Sequence, residues 1–253
     1  MIEVVALLLV GVAAGALNAV GGGGTFVALP ALVAAGLPPV TANASTTVAL
    51  LPGAVTGAYA YRADIRPVGA TTTRSLTVAS LLGGGCGAAL LLGLPASSFD
   101  AAVPWLLAFA TVVLAFGRRL ARVLDAALHR TTDMGPRAIL VGQFLLAIYG
   151  GYFGGAVGIL MLALWSAGLG IDAAAGNPMR VAQLAAVNAV AAGIFLVAAD
   201  VLSDPVPLLA VLLGAAVGGF AGARVARRLS ARVLRTLVLT TATTMTVLYF
   251  LRG

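Results

Sequence analysis

Gly21-Gly22-Gly23-Gly24 interrupts an apolar stretch that begins at Ile2 and resumes through Thr25-Phe26-Val27-Ala28-Leu29-Pro30. Each glycine disfavours helix by about 1 kcal/mol relative to alanine, so a helix entered at Ile2 is expected to break here. A degraded copy, Gly150-Gly151-Tyr152-Phe153-Gly154-Gly155, interrupts a second apolar stretch. Backbone that leaves the helix at bilayer depth carries N–H and C=O groups that lipid cannot satisfy. It persists only where protein buries it or where it lines a hydrated cavity. Two such breaks in one chain suggest a transport site.

The rest of the chain supplies the membrane that this argument needs. Of 253 residues, 61% are hydrophobic and 9% charged, with a mean hydropathy of +1.08, which excludes an ordinary soluble domain. Apolar stretches of helical length follow one another, whereas a membrane β-barrel would show short alternating segments. The expected class is an all-α polytopic membrane protein. The stretch from Ile2 to Val20 lacks the basic start and small-residue cleavage site of a secretory signal, so it is expected to stay in the mature chain. Cys86, the single cysteine, lies in a glycine-rich helix and reads as a small packing residue.

Hydropathy marks spans at 42–61, 68–93, 102–118, 178–200, 206–224 and 233–251, with interrupted segments at 2–36 and 137–169. All the positive residues are arginines and they cluster between spans: Arg62, Arg66 and Arg74; Arg118, Arg119, Arg122, Arg130 and Arg137; Arg224, Arg227, Arg228, Arg232 and Arg235. By the positive-inside rule these loops are cytoplasmic. Connections 94–103 and 200–207, which carry Asp100, Asp200 and Asp204 but no arginine, face outward. The span at 42–61 then runs inward and that at 178–200 outward. Each broken segment must therefore start and finish on one side, as a helical hairpin or re-entrant pair with glycines at its bend. The first lies on the outer side and the second on the inner side.

Each hairpin is followed by three crossings. The expected architecture is two inverted-topology repeats, 1–118 and 137–253, joined by a basic cytoplasmic linker at 119–136. Both termini are then periplasmic. Ala35-Gly36-Leu37 aligns with Ala167-Gly168-Leu169, and without a gap this sets Gly22-Gly23 over Gly154-Gly155. Secondary transporters often use inverted repeats, with sites at the repeat interface built from discontinuous helices. Gly83, Gly84, Gly85 and Gly87, and Gly214, Gly218, Gly219 and Gly222, lie inside uninterrupted spans at packing periodicities and read as helix–helix contact residues.

Gly15-Ala16-Leu17-Asn18-Ala19-Val20-Gly21-Gly22-Gly23-Gly24, followed by Pro30-Ala31-Leu32 and Ala42-Asn43-Ala44-Ser45-Thr46-Thr47, resembles the TauE/SafE sulfite exporter family, also called the toluene-sulfonate uptake permeases. The resemblance extends over nearly the whole chain. It implies a bacterial inner-membrane permease of two inverted halves that moves sulfite, sulfoacetate, related organosulfonates or other small anions, with export favoured. The second half departs from the pattern: Leu162 stands where a proline is expected, and Asn177-Pro178-Met179-Arg180 replaces the hydroxyl-rich motif.

The residues themselves suit an anion. A half-helix starting after Gly21, Gly22, Gly23 and Gly24 offers free N–H groups and the positive end of its dipole. Thr25 at that start and Asn18 before the bend can donate hydrogen bonds, or can cap the broken ends. Asn43, Ser45, Thr46 and Thr47 crowd the start of the next span, and Asn177, Arg180 and Gln183 occupy the matching region of the second half. Arg180 either snorkels to headgroups or faces an aqueous cavity, and the second would hold an anion. Gln183 shares its helical face, while Asn188 reads as an interhelical hydrogen bond. Gln143, Tyr149, Tyr152, Gly154 and Gly155 precede or occupy the second bend. Trp105 and Trp165 read as anchoring or packing groups.

Other classes find little support. No buried nucleophile–base pair or ligand cluster suggests an enzyme, a cofactor or a metal. Arg118 to Arg137 lacks a reader motif for nucleic acid, and membrane orientation explains it. The only glutamate is Glu3, the aspartates sit at span ends or loops, and His129 lies in the linker, so no buried proton relay is expected. The reading is a carrier-type permease for small anions in a lipid bilayer, working by alternating access. An anion channel, a non-transporting scaffold subunit and a homo-oligomer stay open.

Overall fold

A computed structural model describes residues 2–21, 23–128 and 134–226, with scattered positions between 236 and 251. Gly22, His129, Arg130 and most of the expected span 233–251 lie outside the described residues. So do the side chains of Arg118, Arg119 and Arg122 and those from Arg224 to Arg235. Nine helices are described: α1 (Ile2–Gly21), α2 (Thr25–Ala34), α3 (Pro39–Ala60), α4 (Thr73–Gly93), α5 (Ala96–Leu128), α6 (Pro136–Tyr152), α7 (Val157–Leu169), α8 (Ala173–Ala198) and α9 (Pro205–Ala226). Among the described residues there is no strand, only one isolated bridge between Val68 and Thr71. The protein is an all-α polytopic membrane protein.

Local chemistry accounts for the helix ends. Proline stands at the first position of α3, α6 and α9, where its missing N–H has no intrahelical partner to lose. Thr72 accepts from the Ser75 amide at the start of α4, and Asp172 accepts from the Ala174 and Ala175 amides at the start of α8. Gly170, in the left-handed region at φ 63°, ends α7.

These caps explain the boundary differences. The threonine cap starts α4 at Thr73, five residues later than the expected 68, because 68–71 form a turn closed by the Val68–Thr71 bridge. The aspartate cap starts α8 at Ala173, ahead of the expected 178, with Pro178 inside the helix. Helix α5 starts at Ala96 and continues to Leu128, so the first ten residues of the expected linker at 119–136 are helical. Pro52 and Pro104 also lie inside helices.

Segments Thr73–Gly93, Ala96–Phe116 and Ala174–Ala198 are long and apolar enough to cross a membrane, and four shorter apolar helices accompany them. Helix α3 has the length, 22 residues or about 33 Å. Its amide and hydroxyl groups at Asn43, Ser45, Thr46 and Thr47 lower its apolarity, and it lies inside the bundle with these groups largely buried. The outer faces carry the opposite pattern. Trp105, Phe109, Val112 and Phe116 of α5 and Leu209, Leu213, Val217 and Phe220 of α9 are exposed, as lipid-facing side chains are.

The tightest packing joins helices distant in sequence. Helix α1 lies on α9 with Gly11 and Gly15 against the backbone of Val211, Gly214 and Ala215, and Gly214 and Gly218 against Leu8 and Val12. Helix α4 lies on α6 in the same way, with Gly83 and Gly87 against Phe144 and Ile148, and Gly151 against Gly84. A Cβ at these positions would collide with main chain, so only glycine permits the approach. The packing role expected of Gly83, Gly84, Gly87, Gly214 and Gly218 is what the structure shows. Gly85 makes only ordinary contacts, and Gly219 only loose ones.

Helices α3 and α8 run side by side in opposite directions through the centre, Gly57 near the end of α3 meeting Val181 near the start of α8. Helices α6 and α7 form an antiparallel pair: Gly142 abuts Leu164, Gly168 abuts Ile139, and the Met134 amide donates to the Gly168 carbonyl at 2.9 Å. At the first break the chain also doubles back. A Cβ on Gly24 would stand 2.7 Å from the Ala14 carbonyl oxygen and 3.0 Å from Asn18 Cβ. The ungapped alignment of the two halves carries Thr25 onto Val157, and these are the first residues of α2 and α7.

Candidate substrate site

Both breaks open on one cavity. Asn18 of α1 and Thr25 of α2 line it from the first break, and Phe153, Gly154, Val157 and Gly158 from the second. The central pair completes the wall, with Thr47 and Leu50 from α3 and Leu184 and Asn188 from α8. Its volume is about 20 Å³, room for on the order of one water molecule. Its polar side chains, Asn18, Thr25, Thr47 and Asn188, come from four different helices.

The two breaks are built differently. Helix α1 ends at Gly21. The Gly23 amide reaches back to the Leu17 carbonyl at 3.4 Å, and Gly24 precedes α2 in ordinary helical geometry, φ −60°, with no side-chain cap bond. Glycine at the cap position has no side chain to offer the first turn of α2. The second break turns through left-handed backbone at Gly154, φ 84°, and at Ala156, φ 59°. For alanine that conformation costs about 1–2 kcal/mol, and two side chains brace it. Tyr149 Oη donates to the Gly155 carbonyl at 2.7 Å, and Asn43 Nδ2 of α3 donates to the Tyr152 carbonyl at 2.9 Å. Asn43 thus satisfies a carbonyl that the end of α6 leaves without an intrahelical donor.

Arg180 stands directly behind the cavity wall. A Cβ added to Gly158 would lie 2.9 Å from Arg180 Nη1 and 3.3 Å from its Cδ, so the bare glycine is what lets the guanidinium press against the start of α7. Arg180 is buried, and its Nε donates to Asn177 Oδ1 at 2.9 Å. Among the described residues no acidic side chain pairs with it. A buried cation without an anionic partner costs several kcal/mol, and the penalty is relieved when an anion arrives. Arg180, Leu184 and Asn188 follow one side of α8 at four-residue steps, which puts Arg180 below Leu184 at the end of the cavity nearer the Tyr61 end of α3.

The sequence-expected residues divide among three places. Asn18, Thr25 and Gly154 line the cavity. Asn43, Tyr149, Tyr152, Gly155, Asn177 and Arg180 support it from behind, with the Tyr152 ring packed edge-on against Phe99. Thr46 turns its hydroxyl onto the Ala42 carbonyl, and Ser45 is buried with its Oγ unpartnered.

Gln143 and Gln183 go elsewhere. Gln143 Nε2 donates to Ser80 Oγ at 2.8 Å, and that hydroxyl donates to Gln183 Oε1 at 2.9 Å. Gln183 Nε2 reaches Thr77 Oγ1 and Met179 Sδ. This polar knot ties α4, α6 and α8 together away from the cavity wall. Asn188, expected to bond between helices, instead lines the cavity.

Leu50, Phe153, Leu184 and Gly158 were not singled out by sequence. The three apolar side chains look like any core residues. Gly158 carried a signal only in being a glycine one position after the start of α7.

A family model described as Sulfite exporter TauE/SafE matches residues 7–249. The chain belongs to the TauE/SafE sulfite exporter family. Membership makes it a multi-pass membrane transporter for small anions. No curated protein and no solved structure shows significant similarity to the chain.

Proposed function

We propose that this TauE/SafE chain is a carrier-type permease of the bacterial inner membrane that exports sulfite or small organosulfonates. Its cargo binds between the two breaks and is exposed to each side in turn. The observation that carries this reading is the shared cavity. Two breaks, far apart in sequence, line one cavity, and behind it lies a buried arginine that no described acidic side chain pairs. Broken backbone at bilayer depth is kept where protein buries it or a cavity hydrates it, and an anion relieves the cost of a buried guanidinium.

The binding groups in this reading are the side chains of Asn18, Thr25, Thr47 and Asn188 and the guanidinium of Arg180, with the glycine run Gly21, Gly22, Gly23 and Gly24 letting the cargo approach the first break closely. Asn43, Ser45, Thr46, Asn177, Tyr149, Tyr152, Gly154 and Gly155 shape the two breaks. A cavity that holds about one water must widen to admit a sulfur oxyanion, which supports a cycle in which helices move apart around the site.

The exchange of partners, α1 on α9 and α6 on α4, supports two halves of inverted topology, and the arginine clusters support periplasmic termini and a cytoplasmic 119–136. Purified protein in vesicles loaded with labelled sulfite, methanesulfonate or acetate tests the reading. Saturable flux with counterflow is expected. Single-channel currents would replace the carrier with a channel, and no flux above protein-free vesicles would leave a scaffold subunit.

A further inference from the structure

The charge that the cavity offers its cargo can be counted from the described residues. At each break one helix ends and another begins, so the partial negative charge closing α1 and α6 meets the partial positive charge opening α2 and α7, each about half an elementary charge. Asn18 and Gly154 mark the closing ends on the cavity wall, and Thr25 and Gly158 the opening ends. To first order these partial charges cancel. The polar side chains of the wall, Asn18, Thr25, Thr47 and Asn188, are neutral. One formal charge remains, the buried guanidinium of Arg180 behind Gly158.

From this count we infer that the site selects oxyanions bearing a single negative charge, hydrogensulfite or an alkylsulfonate, against the dianions sulfite and sulfate. The inference rests on the permease reading. A monoanion beside Arg180 makes a neutral pair. A dianion leaves one negative charge unmatched in a site of low dielectric, where an unpaired charge is costly.

The same arithmetic accounts for the proton. Hydrogensulfite carries its own and releases it to water on the far side, HSO₃⁻ → SO₃²⁻ + H⁺. One crossing then equals sulfite accompanied by a proton, with no carboxylate relay in the bundle. Titratable groups on the helices packed against α8 are Tyr59 and Tyr61 of α3 and its end, Arg74 and Cys86 of α4, and Arg137, Tyr149 and Tyr152 of α6, while α7 carries none. No carboxylate and no histidine is among them, and the Cys86 thiol is exposed. Any steep pH response therefore belongs to the cargo.

The test uses the full chain in proteoliposomes, with flux corrected for protein-free vesicles. Labelled methanesulfonate, a monoanion at every pH used, serves as the reference for labelled sulfite, and sulfate as competitor. At fixed total sulfite, flux on the alkaline side should fall about tenfold per pH unit as hydrogensulfite is depleted, while methanesulfonate flux stays level and sulfate competes at least about tenfold more weakly than unlabelled methanesulfonate. Sulfite flux that holds or rises with pH, or sulfate competing as well as methanesulfonate, overturns the monoanion inference and leaves the permease standing. Absence of saturable flux for every anion overturns both. Arg180→Lys, which keeps the charge and loses the fork, should retain the monoanion preference at reduced affinity; a switch to dianions in this variant would also overturn the inference.

Discussion

The two breaks solve one problem by opposite means. At the first, a run of glycines lets the chain double back with helical geometry at Gly24 and no side-chain cap there. At the second, alanine occupies a left-handed conformation that costs free energy, and side chains from α3 and α6 hold it in place. The arginine joins the second break only, pressed against Gly158. A bare turn thus faces a braced and charged one across the cavity. What differs is which atoms do the holding: main chain at the first break, side chains at the second.

That contrast can be tested one residue at a time. Arg180→Ala removes the one formal charge that the described residues place at the site. Loss of a buried charge partner costs about 2–5 kcal/mol, so anion affinity read by calorimetry should fall at least about thirtyfold while thermal unfolding in detergent barely moves. Unchanged affinity would relocate the site away from the braced break. Gly24→Ala tests the bare one. The added methyl meets the Ala14 carbonyl oxygen at 2.7 Å and Leu50 Cδ1 at 2.9 Å, and overpacking of this kind costs about 1–3 kcal/mol. A clear drop in unfolding temperature is expected, with flux reduced in the protein that remains folded.

Smaller effects belong to the braces. Tyr149→Phe removes one hydrogen bond to Gly155, worth about 1 kcal/mol, and should lower the unfolding temperature by a few degrees without altering the charge preference. Ala156→Gly should do least. It relieves about 1–2 kcal/mol of left-handed strain and gives up about 0.8 kcal/mol of buried methyl, so an unfolding temperature within a degree or two of the parent is expected. A large loss would mean that the alanine methyl, buried in the core, matters more to the bend than its backbone does.

The membrane class, the helix count over the described residues and both breaks were readable from composition and glycine placement, because these follow from local chemistry. For Arg180, at the mouth of a span, the sequence left snorkelling and an inward-facing position open, and the side chain is buried against Gly158. The partners of polar side chains were not readable. Gln183 sits three residues from Arg180 and looks equally suited to a ligand, yet Ser80 and Thr77 on α4 claim it. Asn188 looked like interhelical glue and faces the cavity. Both outcomes turn on which helix lies next to α8, a long-range fact that no local pattern encodes. Gly158 was hidden for the same reason: its meaning lies in the guanidinium that fits over it.

The glycine seams between α1 and α9 and between α4 and α6 bear on how such a protein moves. Where main chain rests on main chain there are no side chains to rearrange, so each of these pairs resists being pulled apart and should travel as one stave. Each stave takes one helix from either half of the polypeptide. The mobile bodies of the cycle are therefore mosaics of the two sequence halves, and cutting the gene at its midpoint would yield two products that each need the other in order to become a protein at all.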